Sequence, residues 1–231
     1  AFAETTAGDW TIKAGHFLAN GPSGQYSTDR FFATRTQAEH AYSPITLTGV
    51  TGRRKIGETD VTIGWVAGTN TGFDNMSTAE KNGTFVLGLE RSLGDKLSFS
   101  YNALFGDMSR VNSQILHGDE EQSYHHNLTL NYETSERLSV AFTHIYSAWA
   151  SDETVSVFRQ TAYYVVSDHI TLGQRYENTS SSFGFAAESL SVGMNYQSTR
   201  WSNVLLRPEI RWSSHPAGSE TDFFMDVVIT F

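Results

Sequence analysis

Thr221-Asp222-Phe223-Phe224-Met225-Asp226-Val227-Val228-Ile229-Thr230-Phe231 is the stretch that decides how this chain is read. It alternates. Successive side chains of a strand point to opposite faces. Phe223, Met225, Val227, Ile229 and Phe231 therefore share one face, and Asp222, Asp226 and Thr230 share the other. The length also matters, because ~9–11 tilted strand residues cross a bilayer. A soluble domain seldom carries an amphipathic strand of this length that runs out on an aromatic. The apolar face needs a cover, and lipid is one that would suit it.

Composition narrows the class. The chain has 231 residues, enough for one large all-β domain. It has no cysteine, which excludes a disulfide framework and a thiol nucleophile. A net charge of −9 argues against nucleic acid as a partner. Hydrophobic residues make up only 39% and mean hydropathy is −0.33. No apolar run approaches the ~18 residues of a transmembrane helix. A hydropathy scan would miss a transmembrane barrel, whose strands alternate apolar-out with polar-in. Aromatics at 13% suit girdles at two membrane interfaces. Ala1-Phe2-Ala3-Glu4 reads as the small-residue end of a cleaved signal peptide, and residues 1–8 as a short lead.

The pattern of the ending recurs. Period-2 alternation predicts strands near 9–18, 45–54, 59–68, 83–92, 97–106, 122–132, 137–147, 155–166, 170–178, 188–197, 202–212 and 221–231. Tight polar turns such as Lys55-Ile56-Gly57-Glu58 and Leu93-Gly94-Asp95-Lys96 alternate with longer connections. The longer ones are 20–43, 70–82, 108–121, 148–154, 179–187 and 214–220. Short periplasmic turns and long outer loops are the asymmetry of bacterial outer-membrane barrels. The expected fold is thus all-β: a closed antiparallel transmembrane β-barrel of about twelve strands in a single domain, both termini periplasmic. Phe223, Met225, Val227, Ile229 and Phe231 then form the outward face that carries the assembly signal to the barrel-assembly machinery. Outer-membrane lipid covers the rest of that face.

Turning the polar faces inward gives candidate pore-lining residues: Lys13, Glu90, Arg159, Arg175, Glu177, Arg207, Glu209, Arg211, Asp222 and Asp226. Strand 202–212 is the sharpest case, with Leu206, Pro208, Ile210 and Trp212 outward and Arg207, Glu209 and Arg211 inward. An arginine at the bilayer midplane costs ~2–4 kcal/mol on the lipid face, so three alternating charges belong with water or with one another. Such ladders either set a field that selects small polar or ionic solutes or brace a narrow wall. Loop 20–43 is too long for a simple hairpin. It is expected to fold inward or to dock a protein partner or oligomer.

Several segments resemble the outer-membrane β-barrel porin family described as OmpL-like. They are Pro44-Ile45-Thr46-Leu47-Thr48-Gly49-Val50, Gly64-Trp65-Val66-Ala67-Gly68-Thr69-Asn70-Thr71-Gly72-Phe73-Asp74, Leu172-Gly173-Gln174-Arg175-Tyr176-Glu177, Leu206-Arg207-Pro208-Glu209-Ile210-Arg211-Trp212, and the ending from Met225. Their shared order is more specific than any one of them. The resemblance implies an outer-membrane barrel acting as a passive pore, without catalytic residues or a cofactor. Family members are usually longer, with strands ahead of the segment resembling 9–18. Asn70 stands where the family tends to have Asp.

Three local features have bland readings that outweigh sharper ones. Gly68–Asn75 offers oxygens for a cation, but Gly and Asn there read as turn chemistry. His117, His125 and His126 with Asp119, Glu120 and Glu121 suggest a metal. His125 and His126 are adjacent, however, so they face opposite ways on a strand, and an acidic solvated loop is expected. His144-Ile145-Tyr146-Ser147 hints at the His–Ser pair of an outer-membrane lipid hydrolase, yet residues i and i+3 also diverge. No metal site and no enzyme is expected. Gln160 and Gln174 fall on outward faces, where a slip in register is the favoured explanation and contact with a partner the other.

Overall fold

A computed structural model describes residues 1–19, 30–36, 43–69, 83–106, 122–149 and 152–230. The described chain forms one antiparallel sheet of thirteen strands, each paired with its sequence neighbours. They are β1 (Phe2–Ala7), β2 (Trp10–Leu18), β3 (Thr46–Ile56), β4 (Thr59–Thr69), β5 (Thr84–Leu93), β6 (Leu97–Gly106), β7 (Gln122–Ser135), β8 (Leu138–Trp149), β9 (Thr154–Ser167), β10 (Ile170–Ser181), β11 (Ala186–Gln197), β12 (Val204–His215) and β13 (Gly218–Ile229). Among the described residues no ladder joins β1 to β13.

All twelve expected strands are present, and the thirteenth corrects the expectation. Residues 2–7 are not a lead but β1, paired with β2 through Glu4↔Lys13 and Thr6↔Thr11. The added strand reverses the start of the chain, so Ala1 lies at the long-loop end and Ile229 at the short-turn end. The loop asymmetry is also weaker than expected. Connection 214–220 is a two-residue turn, since His215 pairs with Gly218. Strands β10 and β11 likewise extend to Ser181 and Ala186. These extensions carry serines on both faces, which hides the alternation.

Outward faces match the alternation. On β13, Phe223, Met225, Val227 and Ile229 are all exposed, as are Ile210 and Trp212 on β12. Phe231 lies outside the described residues. Trp65, Phe85, Phe105, Phe142, Phe158, Leu172 and Val192 continue this apolar exterior around the sheet. Exposed apolar side chains over a whole sheet face are costly in water and favourable in hydrocarbon. The inner face is less uniformly polar than expected. Phe17, Leu47, Val66, Val86 and Leu104 form a buried apolar cluster across β2–β6, and Ile145, Val155 and Val157 form another on β8–β9.

The outward face of β12 gives a direct check. Ile210 sits at mid-strand and is 55% exposed, whereas its neighbour Arg211 points inward. Ile210→Arg is expected to lower the unfolding free energy in lipid vesicles by ~2–4 kcal/mol. A change below ~0.5 kcal/mol in denaturant titrations would show that this face does not meet lipid.

Candidate functional site: a charged inner wall and an in-folded segment

The inner faces of β9, β10, β12 and β13 carry interlocked ion pairs. Cross-strand register sets Arg159 opposite Glu177 and Arg207 opposite Asp226. Arg159 donates to Glu177 Oε2 through Nε (2.9 Å) and Nη2 (2.6 Å). Arg207 engages Asp226 with two parallel bonds, Nε to Oδ1 at 2.8 Å and Nη2 to Oδ2 at 2.5 Å. Such forked contacts are the strong geometry for arginine and carboxylate. Glu209 lies between two arginines, accepting from Arg175 Nη2 at 2.9 Å and Arg211 Nη2 at 3.0 Å. Arg159, Arg175, Glu177, Arg207 and Glu209 are all buried.

Residues 30–36, from the connection between β2 and β3, bond to Arg159, Arg175, Arg207 and Glu209 of this wall. This segment lies against β9–β12, on the far side of the strand order. Its backbone carbonyls accept from this wall: Arg30 O from Arg207 Nη1, Thr34 O from Arg175 Nη1 (3.2 Å), and Arg35 O from Arg211 Nη2 (3.1 Å). Thr34 donates its backbone N–H to Glu209 Oε2 at 3.0 Å and its hydroxyl to the same carboxylate. Arg211 Nη2 also donates to the Thr34 hydroxyl, and Arg159 Nη2 to that of Thr36 at 3.0 Å. Four arginines of the wall thus hold one short stretch of chain. A segment rooted beside β2 can reach β12 only if the sheet curls round, with the segment inside.

Apolar contacts seat the same segment. Phe31 packs on Gly173, where an added Cβ would stand 2.2 Å from its ring; Phe32 packs on Gly193, where the gap would be 3.1 Å. Tyr163 joins them, its ring centre 4.7 Å from that of Phe31. The Arg175 guanidinium lies 4.2 Å over the Phe32 ring, within cation–π range.

The ten charges expected to line the pore fall into two groups. Arg159, Arg175, Glu177, Arg207, Glu209, Arg211 and Asp226 belong to the wall under the segment, and Asp222 pairs in register with Arg211. Arg211 also lies 5.2 Å over the ring of Phe224, which alternation turns inward. Lys13 and Glu90 stand elsewhere. Lys13 pairs with Glu4 at 3.3 Å, and Glu90 with Arg53 at 3.2 Å, on the more open β1–β6 side. The sequence reading missed Arg53 and Asp60, which are 3.5 Å apart near the short-turn end. Their inward alternation with Thr51 and Thr62 was the available signal.

The remaining candidates separate. His125 faces inward, buried and bonded to Ser147 Oγ at 2.9 Å, while His126 faces outward. His144 and Ser147 lie on opposite faces, as the spacing predicts. His144 nevertheless meets a serine across the sheet, with Nε2 3.0 Å from Ser156 Oγ. It continues an outward hydrogen-bonded chain from Tyr101 through Tyr124 and His126, whose links measure 2.8, 2.9 and 3.0 Å. These bonds satisfy polar groups that would otherwise face hydrocarbon unpaired. Gln160 and Gln174 also stay outward, opposite Tyr176 and Ala162 in an unbroken register, so no slip occurs there. Residues 70–75 and His117–Glu121 lie outside the described residues. Among the described residues no group of three metal-ligating side chains converges.

A model of the β-barrel porin-2, OmpL-like family matches residues 2–230. The chain belongs to this family. It is a β-barrel of the bacterial outer membrane. Solved structures agree in fold at low identity. A loop-L8 deletion mutant of OmpT, an outer membrane protein of Vibrio cholerae, is similar at TM-score 0.65 and 13% identity, covering 99% of this chain and 78% of that one. The outer membrane channel DcaP of Acinetobacter baumannii gives 0.65 and 11%, covering 98% and 72%. An anion-selective porin from Comamonas acidovorans gives 0.65 and 10%, covering 99% and 72%. Curated protein sequences give no match.

Glu209 is the junction of the wall, at 1% exposure. Removing one partner of a buried ion pair costs ~3–5 kcal/mol, because the charges left behind stay buried. Glu209→Gln is expected to lower stability by about that amount in urea unfolding from vesicles. A loss below ~1 kcal/mol would mean that water, not the segment, balances Arg175 and Arg211.

Proposed function

We propose that the protein is a passive diffusion channel for small polar or ionic solutes, its wall carrying the ten inner-face charges and its lumen narrowed by residues 30–36. The observation that carries this is the fixed segment. A loop held inside a curled wall by Arg159, Arg175, Arg207 and Arg211 narrows the lumen without contributing a reactive group. Rings of charge at a constriction select ions by field and by size. The lumen needs no catalytic residue or cofactor for this. The exposed strand face Phe223–Ile229 is the part the barrel-assembly machinery would read, and outer-membrane lipid is its lasting contact.

One alternative has an observation behind it. The same segment, packed closely enough to bury Arg207 and Glu209 to 1% exposure, could seal the lumen and leave a structural or partner-binding barrel. The two readings separate in planar bilayers. A channel gives single-channel steps in KCl; a sealed barrel, inserted and folded, gives none. Replacing Arg207 and Arg211 together by Gln leaves Asp226 without its arginine and Glu209 with Arg175 alone. It should move the reversal potential in a salt gradient toward that of cations by at least several millivolts. An unchanged reversal potential would remove these two arginines from the selectivity field.

A further inference from the structure

One inner cavity joins aromatic rings and positive charge. It measures about 250 Å³ and lies between the in-folded segment and β7–β10. Arg30, Phe31, Phe32, Arg159, Tyr163 and Arg175 are among the residues lining it. Among the described residues, every charged side chain lining it is an arginine; the partner carboxylates Glu177 and Glu209 do not line the space. Among the described residues, a solute entering it thus meets guanidinium charge rather than carboxylate oxygens. Guanidinium matches a carboxylate with two parallel bonds and also stacks on flat groups.

The rings are the unusual part. A water-filled lumen gains nothing from three clustered aromatic rings, and the wall has given up two side chains to seat them. Phe31 occupies the space above Gly173, and Phe32 that above Gly193. Phe31 and Phe32 meet edge-on, 5.0 Å apart at 70°, and Tyr163 tilts against both. Phe32 is buried, but Phe31 and Tyr163 keep part of their surface open toward the cavity. Offset or edge contacts with such rings favour another aromatic ring. The volume equals about eight liquid waters at ~30 Å³ each. It falls short of the ~300–1,000 Å³ of pockets for drug-sized ligands, so it suits a single ring.

We propose that this cavity is a seat for small planar carboxylates: organic anions with one aromatic ring, held by Arg30 and the positive field of the buried Arg159 and Arg175 while the ring lies on Phe31 and Tyr163. The inference rests on the reading of the lumen as a solute path and names the class of solute that path favours. An anion without a ring meets only the charge, and a neutral ring meets only the aromatics. A ring-bearing anion meets both, so it dwells longest and obstructs other ions while it does.

The test is single-channel recording in KCl with benzoate, acetate or benzamide added to one side. Benzoate is expected to reduce or interrupt the current at least fivefold more strongly than acetate or benzamide at equal concentration. Phe31→Ala, which leaves every ion pair of the wall intact, should abolish the distinction between benzoate and acetate when each effect is taken relative to that variant's own KCl conductance. Equal effects of the three probes, or a Phe31→Ala channel that still distinguishes them, would overturn the seat and leave the channel reading standing. Saturation-transfer NMR on the detergent-folded protein makes the test independent of conduction. Benzoate ring protons should receive saturation from the native protein and at least threefold less from Phe31→Ala. Equal transfer, or none from either protein, would overturn the seat; transfer without any KCl current would instead overturn the channel.

Discussion

The carboxylate of Glu209 is the contact on which the inner architecture depends. At 1% exposure it could not stay charged without compensation. Two arginines from the wall and both donors of Thr34 meet it. Those arginines in turn reach the carbonyls of Thr34 and Arg35. Wall and segment are therefore one hydrogen-bonded unit, and neither satisfies its polar groups alone. Low local dielectric raises the stakes, since a network of this kind is strong when complete and costly when broken.

Around that junction the two faces of the sheet obey different solvents. Outside, the rule is apolar exposure, from Trp65 to Ile229. Polar side chains also face out, and at His126 and His144 they bond to one another across strands. Inside, charge is tolerated because each buried carboxylate meets an arginine within hydrogen-bond distance. The β1–β6 side follows the same rule more loosely, its pairs Lys13–Glu4 and Arg53–Glu90 remaining partly exposed. The lumen is thus asymmetric: a packed, arginine-rich side under the segment faces a more open side.

Much of this was legible in the sequence, and what was not has a physical reason. Alternation marks a strand only where its two faces meet different solvents. It therefore found the membrane-crossing parts of β2–β13 and the inward turn of Arg207, Glu209 and Arg211. It failed on β1, whose outward residues Ala3, Thr5 and Ala7 are too small or too polar to mark a lipid face. It failed again at the upper ends of β12 and β13, where Ser213, Ser214 and Ser219 leave both faces polar. The segment's contacts span more than a hundred residues, so no local pattern encodes them. Phe31-Phe32 within a polar loop, and glycines at 173 and 193 on an otherwise side-chain-bearing wall, were the only traces. His144 was correctly set outward, but its serine came from the neighbouring strand, which spacing along one strand cannot reveal.

The central claim is that residues 30–36 narrow the lumen because the wall holds them there. Single-channel conductance tests it most directly. Replacing residues 30–36 with an equal length of Gly and Ser, in a protein whose folding is verified by its resistance to SDS at room temperature, removes the side chains and frees the loop while preserving the strands. The account predicts steps at least twice as large as those of the native channel, with weaker ion selectivity. Conductance and selectivity equal to native would contradict it, because the segment would then line a path that ions do not take.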